Sequence, residues 1–487
     1  MSSSHPIPAS PAPWLAWLER ELSPTPGRGA ATFRVVVATT LVILISMTME
    51  VPFASVSAFL VLFISKRNLA STLVAGTVLI AGVTLAIGAT LLLLPYIVDQ
   101  PELRVPAMAL LLLGGMYLSR VFIIGPLAFI TGFIMALALG EVSTLPGNGD
   151  LIVRGCLWIW VAAVYSIVLT VIAGRFILPK TQLTPEAAAP PRAVAKPKAK
   201  FSLFKPGAFA DPSHLRFAIK VTLAAMFCYL IYTAVDWPGI KTAFVTCCIC
   251  ALESTGASLR KMYLRITGCL IGGALGVITL IYVVPHMQGI VSLLLVSAVV
   301  TGVAAWIALG SERISYAGVQ MNFAFYVCLL QGYEPPTDLN VIRDRVVGIL
   351  LGIVTISIVF RYLWPERTAD RLRTSLAQLL RQVAEFVTSP EPEKRAALTA
   401  QFDLTQRLTE QANFELDLHC PGEVAGKRRL DDLIRQAQTH FLAAAAAVPT
   451  HELRERLEIS RRLEAEAQTL TLQRVSHADV RLTGEAV

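Results

Sequence analysis

Charged side chains within or at the edges of long apolar runs are the residues of this sequence best suited to chemistry. A charge in hydrocarbon costs at least about 2.5–3.5 kcal/mol, so one that persists there is paired or has a task. Six cations qualify. Arg154, Arg343, Arg345 and Lys241 stand at helix starts assigned to the outer side, and Arg120 and Arg313 are their inner-side counterparts. A route for carboxylates needs such cations, and these six are the substrate-path candidates. Each also has a plainer reading, as a partner of Asp150, Asp338 or Asp344 or as an orientation anchor. Three carboxylates, Glu50, Asp236 and Glu253, are candidates for proton coupling. Glu50 and Asp236 sit at equivalent places, each two residues before a proline, and read equally well as wet turn residues. Glu253 falls near Arg260, Lys261 and Arg265, where helix-end salt bridging competes with gating.

Other chemistry finds no footing in the sequence. It holds no Walker A motif and no Gly-x-Ser-x-Gly elbow, and His286 has no paired ligand nearby, so the chain does not read as an enzyme. Of its eight cysteines, only Cys420 lies outside an apolar run. Cys247-Cys248-Ile249-Cys250 has no histidine near it and lacks zinc-site spacing, so it reads as soft helix packing. Neither metal nor cofactor is expected.

The elements that would position these charges are membrane helices. Hydrophobic residues make up 54% of the 487 residues and charged residues only 16%, against about 25% charged in an ordinary soluble domain. The net charge of +8 sits at helix ends and in short loops, which speaks for membrane orientation and against nucleic acid. Spans are expected near 33–49, 51–65, 70–95, 105–119, 121–140 and 152–178. A second set follows near 216–235, 238–252, 262–284, 287–309, 314–331 and 343–364. Segments 51–65 and 238–252 are short and closely follow a proline, as half-helices would.

The two sets repeat. Arg34, Glu50-Val51-Pro52, Gly82, Pro95 and Arg154 recur as Arg216, Asp236-Trp237-Pro238, Gly272, Pro285 and Arg345, at a nearly constant offset. Basic residues such as Lys66, Arg67, Arg260, Lys261 and Arg361 fall in alternate loops, which puts both termini inside and the two repeats parallel. The expected domains are an interfacial segment (1–32), a first repeat (33–179) and a Pro/Lys/Ala-rich linker (180–213). A second repeat (214–365) and a cytoplasmic helical domain (366–487) complete the chain. In the last, Leu372, Leu376, Leu379, Leu380 and Val383 mark one helical face. Gly268, Gly272 and Gly276 lie four apart on one helix face, a pattern that lets helix backbones approach in lipid.

Leu22-Ser23-Pro24-Thr25-Pro26-Gly27-Arg28, Arg34 and Met49-Glu50-Val51-Pro52-Phe53 resemble the opening of the fusaric-acid-resistance (FUSC) family. Glu253-Ser254-Thr255-Gly256, Arg265-Ile266-Thr267-Gly268, Arg345-Val346-Val347-Gly348 and Trp364-Pro365 resemble its repeated membrane unit. The likeness covers nearly all of residues 14–367. It implies a bacterial inner-membrane exporter of aromatic carboxylic acids or drugs, often partnered by a periplasmic adaptor and an outer-membrane channel. A likeness to plant malate channels implies an anion route between the two halves. The sequence therefore points to export of small aromatic or anionic toxic compounds, with a passive anion channel or a membrane scaffold with a partner-recruiting tail as alternatives. A homo-oligomer is compatible with all three.

Overall fold

The computed structural model describes residues 13–142, 148–176, 203–205, 207–251, 255–334, 339–364, 368–388, 392–416, 421–445 and 458–471. These are helical almost throughout, with no strand among them beyond one isolated bridge, Phe122 to Phe204. A short helix α1 (Pro13–Leu22) precedes a first set of six helices. They are α2 (Arg28–Thr48), α3 (Ala54–Ile64), α4 (Leu69–Ile97), α5 (Pro101–Val121), α6 (Gly125–Glu141) and α7 (Gly149–Phe176). The second set runs α8 (Pro212–Ala234), α9 (Thr242–Cys250, entered through a 3-10 turn at Pro238–Lys241), α10 (Thr255–Ile278), α11 (Ile290–Ala308), α12 (Ser315–Leu329) and α13 (Asn340–Tyr362). Eight of these segments are long and apolar enough to cross a membrane. The other four are α3, α6, α12 and the Pro238–Cys250 stretch, all of 17 residues or fewer.

The duplication is visible in backbone detail. α2 ends with Glu50 at φ 49°, and α8 ends with Asp236 at φ 52°, both in the left-handed region that non-glycine residues seldom adopt. The same closing hydrogen bond spans each turn, from Val51 N to Ser46 O and from Trp237 N to Tyr232 O, both 2.9 Å. That is the helix-ending arrangement in which a left-handed residue lets the next amide reach back to an orphan carbonyl. The proline that follows prevents the helix from resuming at once. Both acidic side chains are exposed. Packing is reciprocal as well: α2 lies along α11, and α5 along α8. Thus the first helix of each repeat meets the fourth of the other. α3 packs on α12 in the same seam, where Ala31, Val35, Val42, Val61, Ala304, Ala305 and Met321 are buried together.

Glycines set the closest approaches. A Cβ on Gly268 would collide with the Ala317 carbonyl, one on Gly272 with the Met321 carbonyl, and one on Gly276 would stand 2.7 Å from Cys328 Cβ. α10 therefore lies flush on α12, gaining the dispersion contacts that drive association in lipid. Gly272→Leu forces those backbones apart and is expected to cost about 1–3 kcal/mol as overpacking. The check is a lowered thermal midpoint in detergent; an unchanged midpoint would show that the helices part without loss.

A polar staple ties α1 and α2 to the α11–α12 connection. Arg28 is buried and donates from Nε (2.9 Å) and Nη2 (2.6 Å) to the Trp306 carbonyl. Its Nη1 donates to the carbonyls of Glu21 (3.1 Å) and Ser23 (2.8 Å), and its guanidinium lies 4.6 Å from the Trp306 ring centre. Trp306 Nε1 donates in turn to the Leu22 carbonyl at 3.0 Å. Arg67 donates to the carbonyls of Leu309 (2.8 Å) and Gly310 (3.1 Å). At the start of α8, Asp211 accepts the Ser213 amide at 2.9 Å, which holds its carboxyl below the usual range.

The chain divides into two compact units, with Cys250–Lys261 grouped with the residues from Phe360 onward. That second unit contains α14 (Thr368–Thr388), α15 (Pro392–Leu416), α16 (Pro421–Ala445) and α17 (458–471). Leu372, Leu376, Leu379, Leu380 and Val383, the face expected from the sequence, are all buried. All but Leu372 pack with Leu398, Leu433, Ala437, Phe441, Leu463 and Leu470, as the apolar stripe of an amphipathic helix must. Cys420 and most of the expected linker lie outside the described residues.

Candidate functional site

Three residues on one face of α12, Tyr316, Gln320 and Phe323, follow the i, i+4, i+7 spacing that stacks side chains along a helix. Arg265 of α10 is buried against them. It donates to Tyr316 Oη at 3.1 Å, to Gln320 Oε1 at 3.2 Å and to Thr246 Oγ1 of α9 at 3.1 Å. The flush α10–α12 contact at Gly268 brings these groups within reach.

Arg345 of α13 enters the same cluster. It is 6% exposed, and its guanidinium lies over Phe323, 4.1 Å from the ring centre. Its other neighbours are Cys269, whose side chain hydrogen-bonds with it, the thiol of Cys328 and the guanidinium of Arg265. Arg345 Nε and Nη2 are buried without a hydrogen-bond partner. Phe323 meets Phe59 of α3 across the seam at 4.3 Å between ring centres, and Phe59 meets Phe63 at 5.4 Å. Phe59 and Phe323 are half-buried, and Phe63 is exposed. A cation–π contact returns about 2 kcal/mol when desolvated. The penalty for a buried ion is several kcal/mol, so the ring contact offsets only part of the cost of burying Arg345.

The remaining sequence candidates go elsewhere. Arg154, the repeat equivalent of Arg345, is 70% exposed and pairs with Asp150 at 2.9 Å. Arg343 pairs with Asp344 at 2.8 Å and lies over Trp237. Arg120 stacks on Phe217 at 4.6 Å, and Arg313 holds Glu21 at 3.2 Å. Lys241 Nζ meets Glu141 Oε1 at 2.8 Å, joining the two repeats. Its side chain is 46% exposed and that of Glu141 33%, so screening keeps the pair weak. Lys241→Met is expected to shift unfolding by less than about 1 kcal/mol; a larger loss on thermal melting would make that pair structural. Glu50 and Asp236 are turn residues, and Tyr333 Oη donates to the Glu50 backbone carbonyl at 2.7 Å. Glu253 and Asp338 lie outside the described residues. Among the described residues no group of three His, Cys, Asp or Glu could hold a metal.

Of the six cations read from sequence, the structure brings Arg345 alone into the cluster. The sequence assigns it to an outer helix start. It is instead buried, because Gly348 and Gly352 let α13 lie flush against the Ile240–Thr246 stretch. Arg265 enters the sequence reading only as a helix-end or gating charge near Glu253, and Gln320, Phe323 and Phe59 are not candidates there. The available signal was a polar Gln320 recurring with Tyr316 and Phe323 on one face of an otherwise apolar segment.

Fold and site together define a multi-pass α-helical membrane protein, built from two like-packed sets of six helices around a seam. The profile of the Fusaric acid resistance protein family matches residues 214–482, and the chain belongs to that family. It is similar to the "Multidrug resistance protein MdtO" of Escherichia coli O157:H7, of Escherichia coli strain K12 and of Shigella flexneri. Each is 36% identical over 256 residues, which is 51% of this chain and 37% of the relative. The match thus spans little more than a third of each relative's length. No solved structure matches.

Proposed function

We propose that the chain is an inner-membrane exporter of small aromatic or anionic toxic compounds, working with a periplasmic adaptor and an outer-membrane channel. The observation that carries this reading is Arg345, a cation buried among apolar helices with two donors unmet. An ionisable group kept inside the membrane despite its cost is a functional-site hypothesis by default. The family's description and the relatives' name both speak of resistance to toxic compounds, in keeping with removal from the cell. The basic residues at Lys66-Arg67, Arg120 and Arg313 support a reading with both termini in the cytoplasm, by the positive-inside rule.

Everted membrane vesicles containing the chain are expected to accumulate labelled benzoate and drug substrates when energised. Uptake no greater than in vesicles without the chain removes the exporter reading. A passive anion channel is the second reading, favoured because Glu50 and Asp236 are exposed in turns, where a buried proton relay gains nothing from them. Unitary anion currents in planar bilayers, with no response of vesicle uptake to an uncoupler, would select the channel.

A further inference from the structure

The two unpartnered nitrogens of Arg345 are Nε and Nη2, the pair on one edge of the guanidinium. Their N–H bonds run parallel and match the two oxygens of one carboxylate, the arrangement that gives arginine its bidentate strength. The face of the same guanidinium is already taken by Phe323. A ligand on that edge would sit next to the face that Phe323 covers, and Phe323 in turn meets Phe59 across the seam. Phe59 comes from the first repeat and everything else in the cluster from the second.

We infer, on the basis of the exporter reading, that each chain carries a single carboxylate site, anchored by Arg345, in which Phe59 is the specificity-determining residue contributed by the opposite repeat. The duplicated frame could have built the site twice. It does not, because Arg154, at the equivalent place, is exposed and paired with Asp150. Phe244, the repeat equivalent of Phe59, is buried at 2% exposure, whereas Phe59 is half-buried beside its neighbour Phe323. Selectivity for the organic part of the ligand then rests on a contact that exists only while the repeats are apposed at α3 and α12.

The test is equilibrium binding to the purified full-length chain in nanodiscs, with benzoate, cyclohexanecarboxylate, benzamide and sulfate as probes. Benzoate is expected to bind at one per chain. Cyclohexanecarboxylate, of equal charge without a π face, should bind about fivefold more weakly. Arg345→Lys, which keeps the charge and loses the fork, should weaken both carboxylates by about tenfold or more. Phe59→Leu should remove the benzoate preference and leave cyclohexanecarboxylate within about twofold. Arg154→Gln should change nothing, and unaltered elution and thermal profiles establish that each variant is folded. Two sites per chain, sulfate or benzamide binding as well as benzoate, or an equal effect of Phe59→Leu on both carboxylates would overturn the inference. Vesicle export of other compounds without this benzoate profile removes the site and leaves the exporter. The profile without any vesicle transport removes the exporter and leaves the site.

Discussion

Arg345→Met is expected to lower anion transport by about thirtyfold or more while raising the thermal stability of the protein. The two effects have one cause. Nε and Nη2 are buried with no hydrogen-bond partner, and the groups around them are two thiols, a phenyl ring and a second guanidinium. Such a charge costs several kcal/mol in the unliganded protein, and replacing buried ions by apolar residues of similar volume often stabilises by about 1–4 kcal/mol. Methionine fills the space of the arginine stem and suits the soft surroundings of Cys269 and Cys328. The same change deletes the donors an anion would use, and losing a buried charged hydrogen-bond partner costs about 2–5 kcal/mol of binding. Vesicle uptake and thermal melting of the same preparation measure both. A destabilised variant would mean that Arg345 holds the fold together, and the functional argument for it would lapse.

Arg28→Ala carries the second large effect, of opposite character. Arg28 is buried with four donated hydrogen bonds and a stacked indole, so nothing about it is unmet. Its removal leaves the carbonyls of Trp306, Glu21 and Ser23 without their donor in a site that water does not readily refill. Breaking a buried charged network of this kind costs about 3–5 kcal/mol. The loss should appear as a drop in thermal midpoint together with a red shift of tryptophan emission, since Trp306 loses its cover. Arg28→Lys should recover only part of it, because an ammonium cannot reproduce the planar fork. A loss below about 1 kcal/mol would show that the staple is decoration on a seam held by apolar packing alone.

The contrast between these two arginines explains what the sequence could disclose. Helices and their breaks were legible because lipid demands long apolar runs and prolines punctuate them. The segments near 51–65 and 238–252 were expected to be short, and they are: α3 covers 11 residues, and the 3-10 turn with α9 covers Pro238–Cys250. The first span, expected from residue 33, instead begins at Arg28, whose side chain finds its partner in α11, 278 positions away. No local pattern carries such information. The tail helices were legible for the simpler reason that Leu376, Leu379, Leu380 and Val383 repeat at helical spacing against one core, with Leu372 buried one turn before them. The candidate site was legible only in part. Arg345 could be singled out as a cation near a span, yet Arg154 looked identical, and only tertiary packing separates the buried one from the paired one. Phe59 and Phe323 are ordinary phenylalanines in apolar runs until the seam brings their rings together.

The brevity of α3 bears on the electrical landscape of the membrane. Eleven residues of helix rise only about 16 Å, roughly half the 30 Å of oil in a typical bilayer. Polar turns at Glu50 and at Lys66-Arg67 bound that helix, and wherever water reaches both turns the transmembrane voltage would fall across about three helical turns. An anion leaving Arg345 along α3 would collect the available work, about 2.3 kcal/mol per 100 mV for each elementary charge, over an unusually short path.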